Sequence, residues 1–245
     1  MDEDGTRSAE LSFRWTMRQG RRAPAREGHA AAFARRADAI CLRHRGQTPE
    51  SVAALRRKYD APLFGRVSVW SLVEKLAQCV DPTDMRLYTV SQQMHVLQII
   101  AGMEADNVAN DEFIVAALVH DLGKVLLLTD EAPENIACFN EPIGTFEPGV
   151  GLDNCMLQWN HDEFAYSRLK HHLPDGIAWL VRYHSIVRAS CEPYMNARDR
   201  DYAARYLDVF ERYDHGTKSP YFLPRQRIED YRHVLDAWLP ETIVF

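Results

Sequence analysis

Apolar residues recur at helical spacing through most of the chain, in segments separated by polar and turn-forming residues. Thr48 and Pro49 predict one helix start, with the threonine as the N-cap and the proline as the first helical residue. Val52, Leu55 and Tyr59 follow on one face of that helix. The sequence contains no alternating strand pattern of any length, no internal repeat and no low-complexity tract. These features predict a single compact, all-α fold.

The same spacing predicts further helices, with approximate limits 29–45, 68–81, 90–103, 111–121, 152–169, 177–187, 202–213 and 231–238. Ser68 or Ser71 is expected to open the second of these, whose apolar face is formed by Leu72, Val73, Leu76 and Val80. Residues 129–150 hold most of the loop signals and predict a long irregular segment near a functional site. Residues 1–28 predict a flexible N-terminal arm before a folded domain of residues 29–245.

Composition and charge place the chain among globular proteins and exclude several classes of partner. Of its 245 residues, 46% are hydrophobic and 26% are charged, a balance that supports a sizeable buried core. The formal net charge of −6 argues against nucleic acid as a main partner. No apolar run approaches the ~20 residues of a membrane span, and the charged N-terminus lacks an apolar signal core. We therefore expect a cytoplasmic monomer that does not bind membranes.

The cysteines agree with an intracellular location. There are five of them, widely spaced and without a C-x-x-C motif: Cys41, Cys79, Cys138, Cys155 and Cys191. An odd number at such spacings is typical of reduced thiols and argues against a disulfide framework or a zinc knuckle.

Residues 119–124 contain the most informative short motif. An apolar, alanine-rich run predicts a buried helix that ends at His120 and Asp121, and Lys124 lies about one turn beyond the histidine. Gly123 between them frees the backbone. Burying an imidazole, a carboxylate and an ammonium together is costly unless they are paired or bound to a metal. A single His-Asp pair would ordinarily be a hydrogen-bonded core histidine beside a helix-end aspartate.

Potential metal ligands recur on the other apolar helices after residue 90. The full set is His95, His120, Asp121, His161, His184 and Asp214. Imidazole and carboxylate without sulfur suit iron, manganese or zinc. Six side chains are too many for one metal that keeps an open position, but they fit two metals about 3.5–4 Å apart if Asp121 bridges them. Each residue alone could be structural, yet several helices would then bury a polar side chain independently.

Histidines outside that set, including His44 and His215, lack the same context and are assigned structural roles. Asp162 and Glu163 are candidates for supporting the metal ligands through hydrogen bonds.

Longer strings around these residues carry a resemblance to a known family. They are His120-Asp121-Leu122-Gly123-Lys124-Val125, Gly151-Leu152-Asp153-Asn154, Trp159-Asn160-His161-Asp162-Glu163, Arg182-Tyr183-His184-Ser185, Gln47-Thr48, Arg56-Arg57-Lys58-Tyr59, Val80-Asp81-Pro82-Thr83-Asp84 and Thr217-Lys218. The order His95, His120-Asp121, Asp214 is the pattern of the HD-domain superfamily, and the strings resemble the myo-inositol oxygenase family within it. The similarity extends from about residue 30 to the C-terminus.

The resemblance implies a helical HD-domain fold that holds a mixed-valent Fe(II)/Fe(III) pair and uses O2 to convert myo-inositol to D-glucuronate. By the family pattern, one iron takes His95, His120, Asp121 and Asp214, and the other takes Asp121, His161 and His184. The resemblance also implies a catalytic role for Asp121 and for Lys124, which matches a lysine that contacts the reacting hydroxyl. The implied substrate contacts are Asp81, Thr83, Asp84, Lys124, Ser185, Lys218 and, at the N-terminus, Arg26.

The chain departs from the family between Lys124 and Gly151. The family has a longer segment there with a Gly-Asp pair that contacts inositol, whereas this chain reads Ala137-Cys138-Phe139-Asn140. Because a site built around a hydroxyl rejects analogues strongly, this change bears on the substrate more than on the metals. The alternatives are a related HD-type di-iron oxygenase that acts on another hydroxylated molecule such as a hydroxyphosphonate, an HD metal-dependent phosphohydrolase, and a non-catalytic ligand-binding protein.

Overall fold

Short α-helices and 3₁₀ helices dominate the computed structural model, which describes the backbone of residues 24–245 and the side chains from residue 28 onward. The α-helices are α1 (Pro24–Arg45), α2 (Pro49–Lys58), α3 (Val69–Lys75), α4 (Gln92–Ala105), α5 (Asp111–Val119), α6 (His161–Leu169), α7 (Asp175–Tyr183), α8 (Arg188–Cys191), α9 (Ala197–Tyr202), α10 (Asp208–Gly216) and α11 (Arg232–Trp238). The predicted all-α class is confirmed. The chain divides into a unit that ends at Ala32 and a unit of residues 33–245, and every contact described below lies within the second.

Polar side chains cap the N-termini of the helices that the apolar pattern predicts. Thr48 accepts a hydrogen bond from the backbone N–H of Ser51 and opens α2 as predicted, with Pro49 as the first helical residue. Ser68 caps α3 in the same way. The predicted helices 90–103 and 111–121 correspond to α4 and α5, which begin after the caps Ser91 and Asn110.

Several helix boundaries differ from the prediction. The predicted helix 177–187, for example, ends at Tyr183. The segment 152–169 is not one helix, because only Leu152–Asn154 forms a 3₁₀ turn and the chain then runs without helix until Asn160 caps α6. The predicted helix 68–81 ends at Lys75, followed by a 3₁₀ turn. Val80 is therefore not on the buried face with its predicted neighbours, and 42% of it is exposed.

Three other regions add detail that apolar spacing does not specify. The predicted helix 202–213 is part of a continuous helical segment in which a π-helical stretch, Ala203–Leu207, joins α9 to α10. The loop segment 129–150 is irregular as predicted, with one 3₁₀ turn at Pro133–Asn135. Two three-residue strands, β1 (Arg66–Ser68) and β2 (Thr242–Val244), pair antiparallel and tie the C-terminus to the start of α3.

The centre of the fold is formed by apolar residues of α4, α5, α6 and α7. Their fully buried members include Ile99, Val115, Phe164 and Leu180. A 3₁₀ helix, Leu122–Leu128, continues from α5 and packs against α6. This packing brings the C-terminal end of α5 next to the N-terminal end of α6. No helix of the described residues is both long and apolar enough to cross a membrane.

Gly123 permits the closest approach between these two segments. A Cβ atom at Gly123 would lie 2.0 Å from the carbonyl oxygen of His161, a distance at which backbone atoms must move. The glycine is therefore required by the contact between the 3₁₀ helix and α6, and not by an unusual backbone conformation.

We expect Gly123→Ala to lower the free energy of unfolding by roughly 1–3 kcal/mol, because the added methyl group overpacks a backbone contact. Gly216→Ala is the matched control, since nothing lies within 4 Å of a Cβ at that position. It should stay within about 0.5 kcal/mol of the unsubstituted protein. Urea denaturation followed by circular dichroism measures both, and equal stabilities of the two variants would contradict the packing argument.

Candidate metal centre

The six residues predicted as metal ligands are all buried, with at most 3% of each residue exposed: His95, His120, Asp121, His161, His184 and Asp214. Helices α4 and α10 each contribute one of these side chains from their interior. The ends of α5, α6 and α7 contribute the other four. The packing of these five helices thus brings together residues that lie up to 119 positions apart in the sequence.

The first cluster contains two histidines and two aspartates. His95, His120 and Asp121 offer donor atoms that all lie within 4.8 Å of one another. The His120 Nε2 atom lies 3.2 Å from Oδ2 of Asp121, and the His95 Nε2 atom lies 2.8 Å from Oδ1 of Asp214. These four residues are the ones that the family pattern assigns to one iron.

The second cluster is formed by Asp121, His161 and His184, whose donor atoms also lie within 4.8 Å of one another. Oδ1 of Asp121 lies 3.0 Å from Nε2 of His161 and 3.5 Å from Nε2 of His184. Asp121 therefore belongs to both clusters, with Oδ2 towards the first and Oδ1 towards the second. This is the arrangement that a carboxylate bridging two metal ions requires.

Hydrogen bonds to backbone carbonyls set the tautomer of three histidines. Nδ1 of His120 donates to the carbonyl of Ala117 (2.8 Å), and Nδ1 of His184 donates to that of Val181 (3.1 Å). Nδ1 of His161 donates to the carbonyl of Ile136 over 2.6 Å. Because a carbonyl only accepts, the proton lies on Nδ1 when these rings are neutral, and Nε2 presents its lone pair to the cluster.

Unpartnered polar atoms at the centre of the clusters fit a pair of cations. Four buried atoms here have no hydrogen-bond partner: Nε2 of His120, Nε2 of His161, Oδ1 of Asp121 and Oδ1 of Asp162. Buried polar atoms without a partner are rare, because each costs the free energy of its lost hydration. Bound metal ions would satisfy these atoms, so the donor set and its geometry fit the group that the family pattern implies.

The charges of the clusters also favour cations. Burial raises the pKa of Asp121 and of Asp214, but the neighbouring Lys124 and Lys218 outweigh this effect and hold both pKa values well below their usual range. Burial lowers the pKa of His161, yet the nearby carboxylates of Asp162 and Asp121 outweigh it and raise the pKa to about 9. The carboxylates therefore remain ionised and attract positive charge to this position.

A cavity of about 300 Å³ opens onto both clusters. Asp121, His161, His184 and Asp214 reach its wall, and the remaining lining residues are Cys41, Asp81, Thr83, Asp84, Met85, Arg86, Lys124, Cys138, Phe139, Ser185, His215 and Lys218. All the predicted substrate contacts in the described side chains are among these residues. Arg26, the remaining predicted contact, lies outside the residues whose side chains are described.

Lys124 and Lys218 are each held between two carboxylates. Nζ of Lys124 lies 3.0 Å from both Asp81 Oδ2 and Asp121 Oδ2. Nζ of Lys218 lies 3.1 Å from Asp84 Oδ2 and 3.3 Å from Asp214 Oδ1. Each lysine thus connects a carboxylate of a metal cluster to a carboxylate of the cavity wall.

Asp162 connects the second cluster to Ser185. Its Oδ1 lies 2.9 Å from Nε2 of His161 and 3.6 Å from Nε2 of His184, and its Oδ2 accepts a hydrogen bond from the Ser185 hydroxyl. Asn160 donates to the same hydroxyl oxygen over 3.3 Å. The Ser185 hydroxyl proton is therefore already donated to a group of the protein.

Sequence reasoning missed Gln92 and did not anticipate that His215 lines the cavity. Gln92 is buried on α4 one turn before His95, its Oε1 accepts a hydrogen bond from Lys124 (3.2 Å), and its Nε2 has no partner. A polar residue one turn from a predicted ligand in an apolar helix is a signal that could have found it. His215, assigned a structural role from sequence, lines the cavity with its ring centre 5.9 Å from that of Phe139.

Comparison with known proteins agrees with this arrangement. The family model described as myo-inositol oxygenase matches residues 35–138 and 129–245. Inositol oxygenase 1 of Arabidopsis thaliana is 28% identical over 229 residues, which cover 78% of this chain and 73% of the relative. Inositol oxygenase 2 of the same plant is 29% identical over 231 residues, covering 78% and 72%. Inositol oxygenase of Mus musculus is 22% identical over 240 residues, covering 82% and 84%.

The match to the family model covers nearly the whole of the described unit, and the similar regions contain both clusters and the cavity. The chain belongs to the myo-inositol oxygenase family.

Proposed function

We propose that the chain is a mixed-valent di-iron oxygenase that uses O2 for the four-electron oxidative ring opening of a small polyol, with myo-inositol as the first candidate substrate and D-glucuronate as its product. The observation that carries this proposal is the buried Asp121 carboxylate, which has one oxygen towards each of two histidine clusters at the base of a cavity. Membership in the family supports the same chemistry. The named relatives are inositol oxygenases from plants and mammals.

The side chains that would hold the two iron ions are the six buried residues of the two clusters. One ion would be held by His95, His120, Asp121 and Asp214, and the other by Asp121, His161 and His184. When bound, the iron pair supplies Lewis acidity towards a substrate hydroxyl and a binding position for O2.

The charge pattern of the cavity favours an uncharged polyhydroxylated substrate over a phosphate ester. Both cavity lysines are already neutralised, Lys124 by Asp81 and Asp121 and Lys218 by Asp84 and Asp214. A site for a phosphate group would present unpaired cations instead. The volume of about 300 Å³ is at the small end of ligand pockets, which suits a six-carbon polyol better than a nucleotide.

Lys124 would act on the substrate as a fixed cation. Burial lowers its pKa, but the carboxylates of Asp121 and Asp81 outweigh this effect and raise the pKa above its ordinary value. The ammonium therefore remains charged and does not accept a proton. Placed beside a reacting hydroxyl, it would donate a hydrogen bond and stabilise the negative charge that develops on the oxygen.

The cavity wall offers acceptors for the other hydroxyls of a polyol. Burial raises the pKa of Asp81, but Lys124 and the hydrogen bonds from Thr83 outweigh it and lower the pKa to about 2. Asp81 is thus ionised and held in one orientation, ready to accept from a substrate hydroxyl. The Ser185 oxygen, whose proton is given to Asp162, would also accept rather than donate.

The wall formed by Cys138 and Phe139 is the part of the cavity on which the choice of substrate depends. These residues occupy the shortened segment that lacks the Gly-Asp pair of the family, and 48% of Phe139 is exposed. A thiol and an aromatic ring present fewer hydrogen-bonding groups than that pair. A substrate with fewer hydroxyls on this side would therefore leave fewer hydroxyls without a hydrogen-bond partner when it binds.

Oxygen uptake by the iron-loaded, partly reduced protein tests the proposed reaction. We expect uptake with myo-inositol and formation of D-glucuronate, with related polyols and hydroxyphosphonates measured in parallel. Oxygen uptake with only one of these other compounds would support the oxygenase reaction but assign it a different substrate. Phosphate release from nucleotides without any oxygen uptake would contradict the proposal and favour a phosphohydrolase.

Substitutions at Asp121 and Lys124 should separate metal binding from substrate activation. Asp121→Asn is expected to lose iron and turnover together, because both clusters depend on its charge. Lys124→Met is expected to keep iron but to lose at least roughly 100-fold in kcat, because the cation beside the reacting oxygen is removed. Iron content and circular dichroism verify that each variant is loaded and folded, and retained turnover in Asp121→Asn would exclude the assigned bridge.

Asp162→Asn tests whether this carboxylate supports the second cluster. We expect the affinity for one of two Mn(II) or Fe(II) ions to fall by about 10–100-fold, because the side chain that faces His161 and His184 loses its charge. Asp153→Asn is the control, since Asp153 pairs with Arg182 and Arg198 away from the cavity. Equilibrium dialysis under anaerobic conditions counts the bound ions. Unchanged binding of both ions by Asp162→Asn would rule out this role.

A further inference from the structure

Two cysteines that are distant in sequence meet at the wall of the cavity. The Sγ atoms of Cys41, on α1, and Cys138, in the irregular segment, lie 2.8 Å apart although 97 positions separate them in the chain. Both residues line the cavity. A disulfide bond has an S–S distance of about 2.05 Å, so bond formation needs the sulfurs to approach by less than about 1 Å.

Independent contacts hold α1 against the segment that carries Cys138. The guanidinium of Arg43 forms an ion pair with Glu134 at 2.8 Å, and Nδ1 of His44 donates to the backbone carbonyl of Glu134 at 2.7 Å. Ile40 packs with Ala137 and Cys138 in a small apolar cluster that is separate from the main core. The two thiols are therefore held together by their surroundings and do not meet by chance on a flexible surface.

The backbone at Cys138 is in an unusual conformation. Its φ angle of 93° lies in the region that favours glycine, and strain of this kind persists only where surrounding contacts enforce it. One such contact is the hydrogen bond from Asn160 Nδ2 to the Cys138 carbonyl at 2.9 Å. The Ile136 carbonyl two residues earlier accepts the bond from His161 Nδ1. A movement of Cys138 would thus act on the support of the second cluster.

The two thiols differ in a way that suits attack by one and resolution by the other. Cys41 is partly exposed, whereas Cys138 is buried. The hydrogen bond between the two thiols lowers the pKa of Cys41, and this effect outweighs burial and the charge of Asp81. The same bond raises the pKa of Cys138. By contrast, burial raises the pKa of Cys79, Cys155 and Cys191.

We propose that Cys41 and Cys138 form a redox modification site that is converted to a disulfide by exchange with a low-molecular-weight disulfide. The Cys41 thiolate attacks one sulfur of the external disulfide and forms a mixed disulfide, and the first external thiolate leaves. The Cys138 thiol, on losing its proton, then attacks the Cys41 sulfur and releases the second external thiol. The protein dithiol loses two electrons, and the external disulfide gains them as two thiols.

The disulfide would change the cavity because both sulfurs belong to its wall. Closing the S–S bond draws the Cys138 segment towards α1 and disturbs its contact with Asn160 and the neighbouring hydrogen bond from His161 Nδ1 to the Ile136 carbonyl. Substrate binding and metal retention at the second cluster would both weaken. This consequence for turnover rests on the proposed function, whereas the chemistry of the dithiol does not.

Incubation of the full-length, iron-loaded protein with glutathione disulfide tests the site. The number of thiols titrated after denaturation is expected to fall from five to three. Peptide mapping without reduction should find Cys41 linked to Cys138. Dithiothreitol should restore all the thiols. A linkage between other cysteines, or no loss of thiols under conditions that oxidise a model dithiol peptide, would overturn the proposal.

Single variants separate the roles of the two thiols. Cys138→Ser should accumulate a mixed disulfide of glutathione on Cys41, because the resolving thiol is missing, and Cys41→Ser should accumulate none at Cys138. Cys155→Ser is the matched control and should form the same internal disulfide as the unsubstituted chain. Glutathione on Cys138 in place of Cys41 would reverse the assignment and overturn the proposed order of attack.

Substrate-dependent oxygen uptake, measured after desalting, tests the effect on the cavity. Oxidised protein should lose at least roughly 10-fold in kcat/KM and recover it with dithiothreitol, and Cys138→Ala should show no reversible loss of this kind. A mapped disulfide with unchanged turnover would overturn the effect on the cavity. If no substrate supports uptake in the reduced protein, the proposed function fails, while the mapping still decides the dithiol independently.

Discussion

The buried carboxylate of Asp121 is the constraint on which the rest of the structure depends. An ionised carboxylate removed from water is costly unless charges and hydrogen bonds compensate it. Lys124 supplies one positive charge at 3.0 Å, and histidines of two clusters face the two carboxylate oxygens. The lysine is held in turn by Asp81 and Gln92, so the charge balance at Asp121 extends to the wall of the cavity. The two clusters and the cavity are therefore one electrostatic unit.

Helix ends position the imidazoles around that carboxylate. His120 and His184 each end a helix, and each donates from Nδ1 to the carbonyl three residues earlier in the same helix. Carbonyls in the last turn of a helix lack their helical partners, so they are free to accept such a bond. The same hydrogen bond satisfies the helix end, fixes the tautomer and aims Nε2 at Asp121. His161 lies at the N-terminal end of α6, and its Nδ1 atom donates instead to the carbonyl of Ile136 in the irregular segment.

The irregular segment consequently serves three parts of the molecule at once. Ile136 supports a histidine of the second cluster, Cys138 and Phe139 form cavity wall, and Glu134 with Ala137 binds α1. A displacement of Cys138 would thus act on a histidine of the second cluster and on the cavity wall through short contacts. Gly123 lies outside this segment but also supports the second cluster, since its missing side chain lets the backbone of His161 approach.

Apolar spacing and polar caps in the sequence determined the fold class, the helix starts at Thr48 and Asp111, and the six buried polar residues that form the clusters. For the start of α3 they left Ser68 and Ser71 as alternatives, and the structure selects Ser68. Each of these follows from local chemistry, namely helix periodicity, capping, and the cost of burying unpaired polar groups. The tertiary structure alone decided which oxygen of Asp121 faces which cluster, that Gln92 holds Lys124, and that Cys41 meets Cys138. These contacts join segments dozens of residues apart, and no local pattern encodes the packing of helix ends that brings them together.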